Sequence, residues 1–459
     1  MRPLTTEPDP PTYEPPLWER LAAGFVMFMI SQALVGPVFA PTQEETPILR
    51  LVWLPVYAVV AGLIAFRAPQ LVRAWPAWLL VGLTVLLAFA SKYWSIDPEV
   101  TQRRTLALAI ASGFAVYLGA AFRSPHLPRL LMHTGLVLAV GSLLMVFLNP
   151  TIGVHQADNA GLWRGLWYEK NQMGMIMVAS AIAAAACLAS PDRRRLLPGL
   201  TLLFSVVLVL ATQSKTSLLC LLIGLGLVGG FCAMRKGGPA FAVVAIWMAV
   251  VGAGVLAELW LTDSAEVLRA LGKDPSLTGR TDIWEAVMRR LSERPMTGYG
   301  YAAFWGKDSV PADMIRAETG WIVPSAHHGW LDLLVQIGWP GMGFVASVVA
   351  LAFAAALARV RGLGAREGWF SIAYLAVFLT LSFSESVLLT HANLPWVLVL
   401  AILTRGLMTE PVASTAYRGR LASAPARPYG NAPRIAPHYR HGQTRRSAIP
   451  VRPAGGFRA

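Results

Sequence analysis

The chain has 459 residues, of which 55% are hydrophobic and only 14% charged, where a soluble domain usually carries about 25%. That composition excludes an ordinary soluble globular protein. The net charge of +14 does not mark a nucleic-acid binder, because no aromatic-interleaved binding fold accompanies the basic residues.

Residues 1–20 form a polar, proline-rich segment, expected on the cytoplasmic side. Val38-Phe39-Ala40 weakly resembles a signal-peptidase site, but the preceding apolar run is long, so a retained anchor is expected. Apolar runs then recur along the chain, each near the roughly 20 residues that cross about 30 Å of hydrocarbon. The predicted spans begin near Leu21, Leu51, Trp75, Thr105, Leu130, Met173, Leu197, Ser217, Phe241, Gly329 or Pro340, Trp369 and Leu394. The fold class is therefore all-α, a polytopic transmembrane helical bundle of about twelve spans. The membrane domain runs over residues 21–408 and includes one large extracytoplasmic loop, residues 262–328, that contains short helices. Residues 409–459 are predicted to be a disordered basic cytoplasmic tail that can rest on anionic lipid. Cys187, Cys220 and Cys232 all fall in predicted spans, so neither a disulfide framework nor a metal site is expected.

Alternate connections carry Arg67 and Arg73, Arg123 and Arg129, Arg193 to Arg195, Arg235 and Lys236, then Arg359, Arg361 and Arg366. All lie on one side if both termini are cytoplasmic, which is the orientation that the positive-inside rule selects. The informative cations break that rule. Arg103, Arg104, Arg164, Lys170 and Lys215 sit on short outer connections, and Lys92 lies near the outer end of the third span. An anionic ligand at the outer surface explains them; snorkelling to lipid phosphates is the alternative.

A helix is expected to start at Thr281 or Asp282 and to stop before Pro295, with Ile283, Trp284, Val287, Met288 and Leu291 on one apolar face along the membrane interface. Arg280 would then precede a helix N-terminus, an unfavourable place for a cation unless an anion binds there. Pairing with Asp282 or Glu285 is the other reading. A second cluster, residues 163–174, combines Arg164, Glu169, Lys170 and Asn171 with three aromatic residues. A third is His327-His328, read as one histidine facing a cavity and one structural. Glu385, near the outer end of the eleventh span, is an acid at membrane depth and so a functional candidate.

Gly279-Arg280-Thr281-Asp282-Ile283-Trp284, followed by Pro295-Met296-Thr297-Gly298-Tyr299-Gly300, resembles the O-antigen ligase and polymerase superfamily of bacterial envelopes. The family's next motif begins Ala-His-Asn; here Ala326-His327 match and His328 replaces the asparagine. Trp94-Ser95-Ile96-Asp97-Pro98, Arg164-Gly165, Lys170-Asn171-Gln172-Met173-Gly174 and Gln213-Ser214-Lys215-Thr216 resemble the exopolysaccharide polymerase branch.

The resemblance implies a metal-independent glycosyltransferase without a cofactor, in the bacterial inner membrane, with its active site facing outward. Its donor would be a glycan on undecaprenyl diphosphate. A polymerase passes the growing chain to another lipid-linked repeat unit; a ligase passes it to a lipid A core. A repeat-unit flippase and a chain-length regulator are partners implied by the same analogy. The residues fit that chemistry, since guanidinium groups suit a departing diphosphate. Arg164 and Arg280 are the expected principal contacts. Lys215, Lys170, Asn171, Arg103 and Lys92 are expected to help bind substrate. His327 is the candidate general base, with Glu169 and Glu385 as rivals. A transporter without bond chemistry remains the rival class; it favours internal repeats and midplane charges, and no clear repeat is visible.

Overall fold

A computed structural model describes residues 14–39, 47–123, 126–156, 159–190, 194–234, 280–320, 322–360 and 364–408. The expected span near Phe241, the start of the loop at residues 262–279 and the tail at 409–459 lie outside them. Among the described residues the chain is all-helical, with one isolated bridge between Val154 and Trp163 and no strand.

The principal helices are α1 (Leu17–Ile30), α2 (Pro47–Phe66), α3 (Trp75–Ala90), α4 (Pro98–Ala121), α5 (His126–Leu148), α6 (Lys170–Leu188), α7 (Leu196–Thr212), α8 (Lys215–Met234), α9 (Arg280–Glu293), α10 (Val310–Thr319), α11 (Gly329–Arg359), α12 (Gly364–Ser382) and α13 (Leu394–Leu407). Every predicted span start except Phe241 falls within one of them. Six helical stretches are long and apolar enough to cross a membrane: Ala68–Tyr93, Pro98–Ala121, His126–Leu148, Lys170–Leu188, Lys215–Met234 and Gly329–Arg359. The chain is thus a polytopic helical membrane protein.

The helix starts follow from local chemistry. Asp97 caps α4 by accepting from Val100 N at 3.0 Å, with Pro98 in the first turn, where its missing N–H costs nothing. Asn393 caps α13 in the same way at 3.1 Å. Glu169 and Gln172 form a reciprocal capping box at the start of α6. The core lies between α4, α6 and α13, where small residues let backbones approach closely, as they do in lipid. A β-carbon on Gly174 would overlap Ser217 Oγ, so the first turns of α6 and α8 touch.

At the opposite end of the bundle, two buried ion pairs fasten helices together. Arg67 Nε donates to Glu19 Oε1 at 2.7 Å, and Tyr117 Oη donates to the same oxygen at 2.8 Å. Arg405 Nε donates to Glu367 Oε1 at 3.0 Å. Each ties together segments 38 or 48 residues apart, and removing one partner would leave a buried charge.

The helix α11 is broken one-third of the way along. Gly338 has φ 67° and ψ −177°, and Pro340 follows it. The segment holding the Pro-x-x-Gly-Tyr-Gly motif fills the break: Tyr299 N donates to Val335 O at 2.7 Å, Gly300 N to Gln336 O at 2.9 Å, and Trp339 N to Pro295 O at 2.9 Å. On its other side the motif holds the early loop. Trp94 Nε1 donates to Thr297 O at 2.8 Å and Ile96 N to Tyr299 O at 3.0 Å. The motif that carries most of the family resemblance is therefore a clasp between three segments. Gly338→Ala should cost about 1–3 kcal/mol from the left-handed backbone alone, and more because its β-carbon would overlap Met296. Thermal melting in detergent measures that loss.

Helix α9 departs from expectation in two respects. It includes Arg280 rather than starting after it. Its apolar face packs on protein, not on lipid: Ile283, Ala286, Val287 and Leu291 are buried against Phe304, Ile315 and Val335, while Met288 points outward. The reason is that the bent start of α11 and the short α10 supply a closer apolar partner than the membrane interface does.

Candidate functional site

One end of the bundle gathers the starts of α6, α8 and α11, Arg280 of α9 and the non-helical residues that follow α12. Asn171, in the first turn of α6, donates from Nδ2 to Glu385 Oε1 at 2.9 Å. Arg280 Nη1 donates to the carbonyl of Ser384 at 3.2 Å. A β-carbon on Gly329 would lie 3.0 Å from the carbonyls of both Ser382 and Glu385, so the start of α11 also packs on this segment. Glu385, expected near the outer end of a span, lies just beyond the end of α12, in an irregular stretch where Leu389 and Ala392 have positive φ.

His327 enters the site with φ 49°, a left-handed backbone uncommon for a non-glycine residue. Three bonds enforce it. Trp284 Nε1 donates to Ala326 O at 2.9 Å, Ala326 N donates to Asp332 Oδ1 at 3.0 Å, and His327 N donates to Ser325 Oγ at 3.3 Å. Arg280 and Trp284 are four residues apart on α9 and so share a face. The Arg-x-x-x-Trp spacing thereby sets a charged contact beside the residue that orients the histidine loop.

His328 does a different job. Its Nδ1 accepts from Leu331 N at 3.3 Å as the N-cap of α11, and its ring meets Trp284 and Phe383 edge-on at 5.3 and 5.8 Å. An asparagine would cap the helix as well, which gives the family motif's Ala-His-Asn a structural reading.

Burial, and then the Arg280 guanidinium, push the His327 imidazole down to about 4. It is therefore neutral near pH 7. Burial pushes the Glu385 carboxyl up to about 7, against the pull of Arg280 and the Asn171 bond, which favour the carboxylate. Arg280 thus acts on both groups, in the same direction.

Several expected contacts are engaged elsewhere. Arg164 donates to the carbonyls of Ile152 at 2.7 Å, Thr151 at 3.1 Å and Tyr168 at 3.4 Å. Those three bonds use most of a guanidinium's donors and make Arg164 a clasp for its own loop. Lys92 sits over the rings of Phe89 at 4.3 Å and Tyr93 at 5.3 Å. Glu169 caps α6 and lies 3.8 Å from His155, which suits structure better than proton transfer. Lys170 and Lys215 are the first residues of α6 and α8, and their helix starts meet at the Gly174–Ser217 contact. Arg103 is exposed beside Arg104, whose Nη1 lies 2.5 Å from Nε2 of His391. Burial, then Arg104 and Arg103, push that imidazole down to about 3.

Asp332 is the residue that sequence reasoning missed. It accepts from Ala326 N, from Trp305 Nε1 at 2.7 Å and from Ser386 Oγ. It thus fixes the His327 loop and the Glu385 segment together. The available signal was an acid in the first turn of a helix, five residues after His327.

Residues 200–346 match the O-antigen ligase (Wzy_C) family. The chain is also 25% identical over 317 residues to the exopolysaccharide production protein ExoQ of Rhizobium meliloti (strain 1021), covering 67% of this chain and 70% of that protein. The family region includes α8, α9, Arg280, His327 and the bent start of α11. In family terms, the chain resembles the O-antigen ligase superfamily in its exopolysaccharide branch.

Proposed function

We propose that this protein polymerises undecaprenyl-diphosphate-linked oligosaccharide repeat units into exopolysaccharide at the outer face of the bacterial cytoplasmic membrane. The observation that carries the reading is the convergence of Arg280, His327 and Glu385 beside the starts of α6 and α11. In this reading the bundle has about twelve spans, both termini are cytoplasmic, and residues 262–328 form the outer loop. Repeat units would arrive through a flippase, and a chain-length regulator would limit their number.

The reaction is an attack by an acceptor hydroxyl oxygen on the anomeric carbon of the donor. The bond from that carbon to the diphosphate oxygen breaks, undecaprenyl diphosphate leaves, and the hydroxyl proton goes to a base. Arg280 holds the diphosphate and stabilises the charge that grows on its oxygen. Lys170 and Lys215 add positive potential from their helix starts. Arg164, clasped to carbonyls, holds the loop that leads into α6.

The base follows from what a bound diphosphate does to its neighbours. Its charge offsets Arg280, the guanidinium that helps to hold His327 low, so the imidazole becomes more basic once donor is bound. The same charge opposes ionisation of Glu385. Donor binding therefore turns His327 into the better proton acceptor and keeps Glu385 protonated.

That linkage has a measurable sign. Glu385 is neutral below about 7 and anionic above it. KM for the lipid-linked donor should rise several-fold between pH 6 and pH 8, and Glu385→Gln should flatten that rise. A donor KM that falls with pH, or a Glu385→Gln profile like wild type, would refute this role for Glu385.

Supplying lipid-linked repeat units as the sole glycan tests the polymerase reading, with products resolved by size. A ladder of lengthening lipid-linked chains is expected. The match to the O-antigen ligase family supports a second reading, transfer to lipid A core. Transfer only when that core is added would select it.

A further inference from the structure

Asp332 is a buried carboxyl group that the proposed reaction leaves unused. It sits in the first turn of α11 and is only 4% exposed. Among the described residues no cation pairs with it, and its oxygens receive neutral donors. Burying a carboxyl group without a cation is costly. Helix α11 does not need it as a cap, because His328 already accepts from Leu331 N. Packing alone would be served as well by an apolar side chain.

Its three donors lie 6, 27 and 54 residues away along the chain. Ala326 N and Trp305 Nε1 both donate to Oδ1, at 3.0 and 2.7 Å, and Ser386 Oγ donates to Oδ2. Ala326 immediately precedes His327. Asp332 holds its N–H, and Trp284, on the helix that carries Arg280, holds its carbonyl. Those two bonds fix the chain where it enters the left-handed turn at His327. Ser386 immediately follows Glu385, so its hydroxyl ties the Glu385 segment to the same carboxyl group. The backbone of Asp332 is fixed in turn. Gln336 Nε2 donates to Asp332 O at 2.9 Å, while Gln336 Oε1 accepts from Ala302 N at 2.8 Å.

We propose that Asp332 is a positioning residue for glycan transfer, which sets His327 against the Arg280 and Glu385 side of the site through the Ala326 and Ser386 bonds. The proposal rests on the reading of His327 as the base. Asp332 acts through the loop that it holds, and a base displaced by about 1 Å can lose about 10²-fold in rate. The donor contact is held independently. Arg280 donates to the Ser384 carbonyl, within a turn closed by Ser384 N and Glu385 N donating to Leu381 O at 3.0 and 2.8 Å. Loss of Asp332 therefore falls on proton transfer and spares donor binding.

Two readouts on the purified full chain test this. The first needs no substrate: the histidine rings are titrated by NMR in detergent. In wild type, burial and then Arg280 hold the His327 imidazole at about 4. Asp332→Ala should open the turn to water and raise it toward the ordinary value of about 6.5, with His155 unmoved as the sign of an intact fold. Asp332→Asn should leave His327 near its wild-type value. Its Oδ1 can accept from Ala326 and Trp305, and its Nδ2 can donate to Ser386 Oγ. Loss of negative charge alone would instead lower the imidazole in both variants.

The second readout is transfer from lipid-linked repeat units in proteoliposomes, below pH 7, where Glu385 is neutral. Asp332→Ala should lower kcat about 10²-fold with the donor KM within about twofold, and Asp332→Asn should recover most of the loss. In a His327→Ala background, Asp332→Ala should cost less than about threefold more, because the residue it places is gone. Ser386→Ala keeps the Ala326 and Trp305 bonds and so reads the second arm even if Asp332→Ala does not fold; a kcat about tenfold lower is expected. A further loss of about 10²-fold in the His327→Ala background would overturn the proposal. So would a His327 titration that Asp332→Ala leaves unmoved or lowers, or a Ser386→Ala protein at the wild-type rate. No transfer by wild type would count against the proposed function instead, and the titration would still decide whether Asp332 places His327.

Discussion

Arg280→Ala is expected to lower glycan transfer by about 10²–10³-fold, the usual cost of removing one fixed stabiliser of a developing anion. The protein should remain folded and in the membrane. Arg280 makes one hydrogen bond to the Ser384 carbonyl, and its helix is held by the buried apolar face of Ile283, Ala286, Val287 and Leu291. The substitution removes that bond, but the apolar anchor does not depend on the guanidinium. Arg280→Lys should recover little, because a point charge cannot reproduce a planar fork against a diphosphate. Turnover of lipid-linked repeat units in proteoliposomes, normalised to folded protein, measures the effect. Transfer within about threefold of wild type would place the diphosphate elsewhere.

His327→Ala is the second large effect. A positioned general base contributes about 10²–10⁴-fold, and that loss should fall on kcat with the donor KM little changed. His328 provides the contrast. His328→Asn keeps a cap acceptor for Leu331 N and restores the residue type of the family motif, so transfer and stability should both survive. The two adjacent histidines would then separate cleanly into one chemical and one structural residue. If His328→Asn abolished transfer while His327→Ala did not, the assignment would be reversed.

The difference between these neighbours was only partly legible in the sequence. Adjacent side chains in an extended segment point apart, which foretold that one would be structural. It did not say which, because that depends on where α11 begins and on the left-handed turn at His327. The membrane helices were legible because a long apolar run has few alternatives in lipid. The break at Gly338 was not, since a glycine two residues before a proline is also compatible with a continuous kinked helix. Arg164 shows the limit most clearly. Its type and place suggested an anion contact, yet the folded loop offers it three carbonyls first. A sequence reveals a cation's presence but not the local acceptors that compete for it. Glu385 and Asn171 are 214 residues apart, and only the packing of α6 beside the segment after α12 brings them together. Asp332 was hidden for the same reason, because its partners Trp305, Ala326 and Ser386 come from three separate segments.

The most direct measurement is the single-turnover release of undecaprenyl diphosphate from lipid-linked repeat units in proteoliposomes. It reports cleavage of the donor bond whichever acceptor takes the glycan. Wild type, Arg280→Ala and Arg164→Ala would be compared at equal amounts of folded protein. The expected result is release by wild type, a loss of about 10²–10³-fold in Arg280→Ala, and a smaller loss in Arg164→Ala. Release by Arg280→Ala at the wild-type rate, or none from active wild-type protein, would contradict a diphosphate-cleaving site built around Arg280.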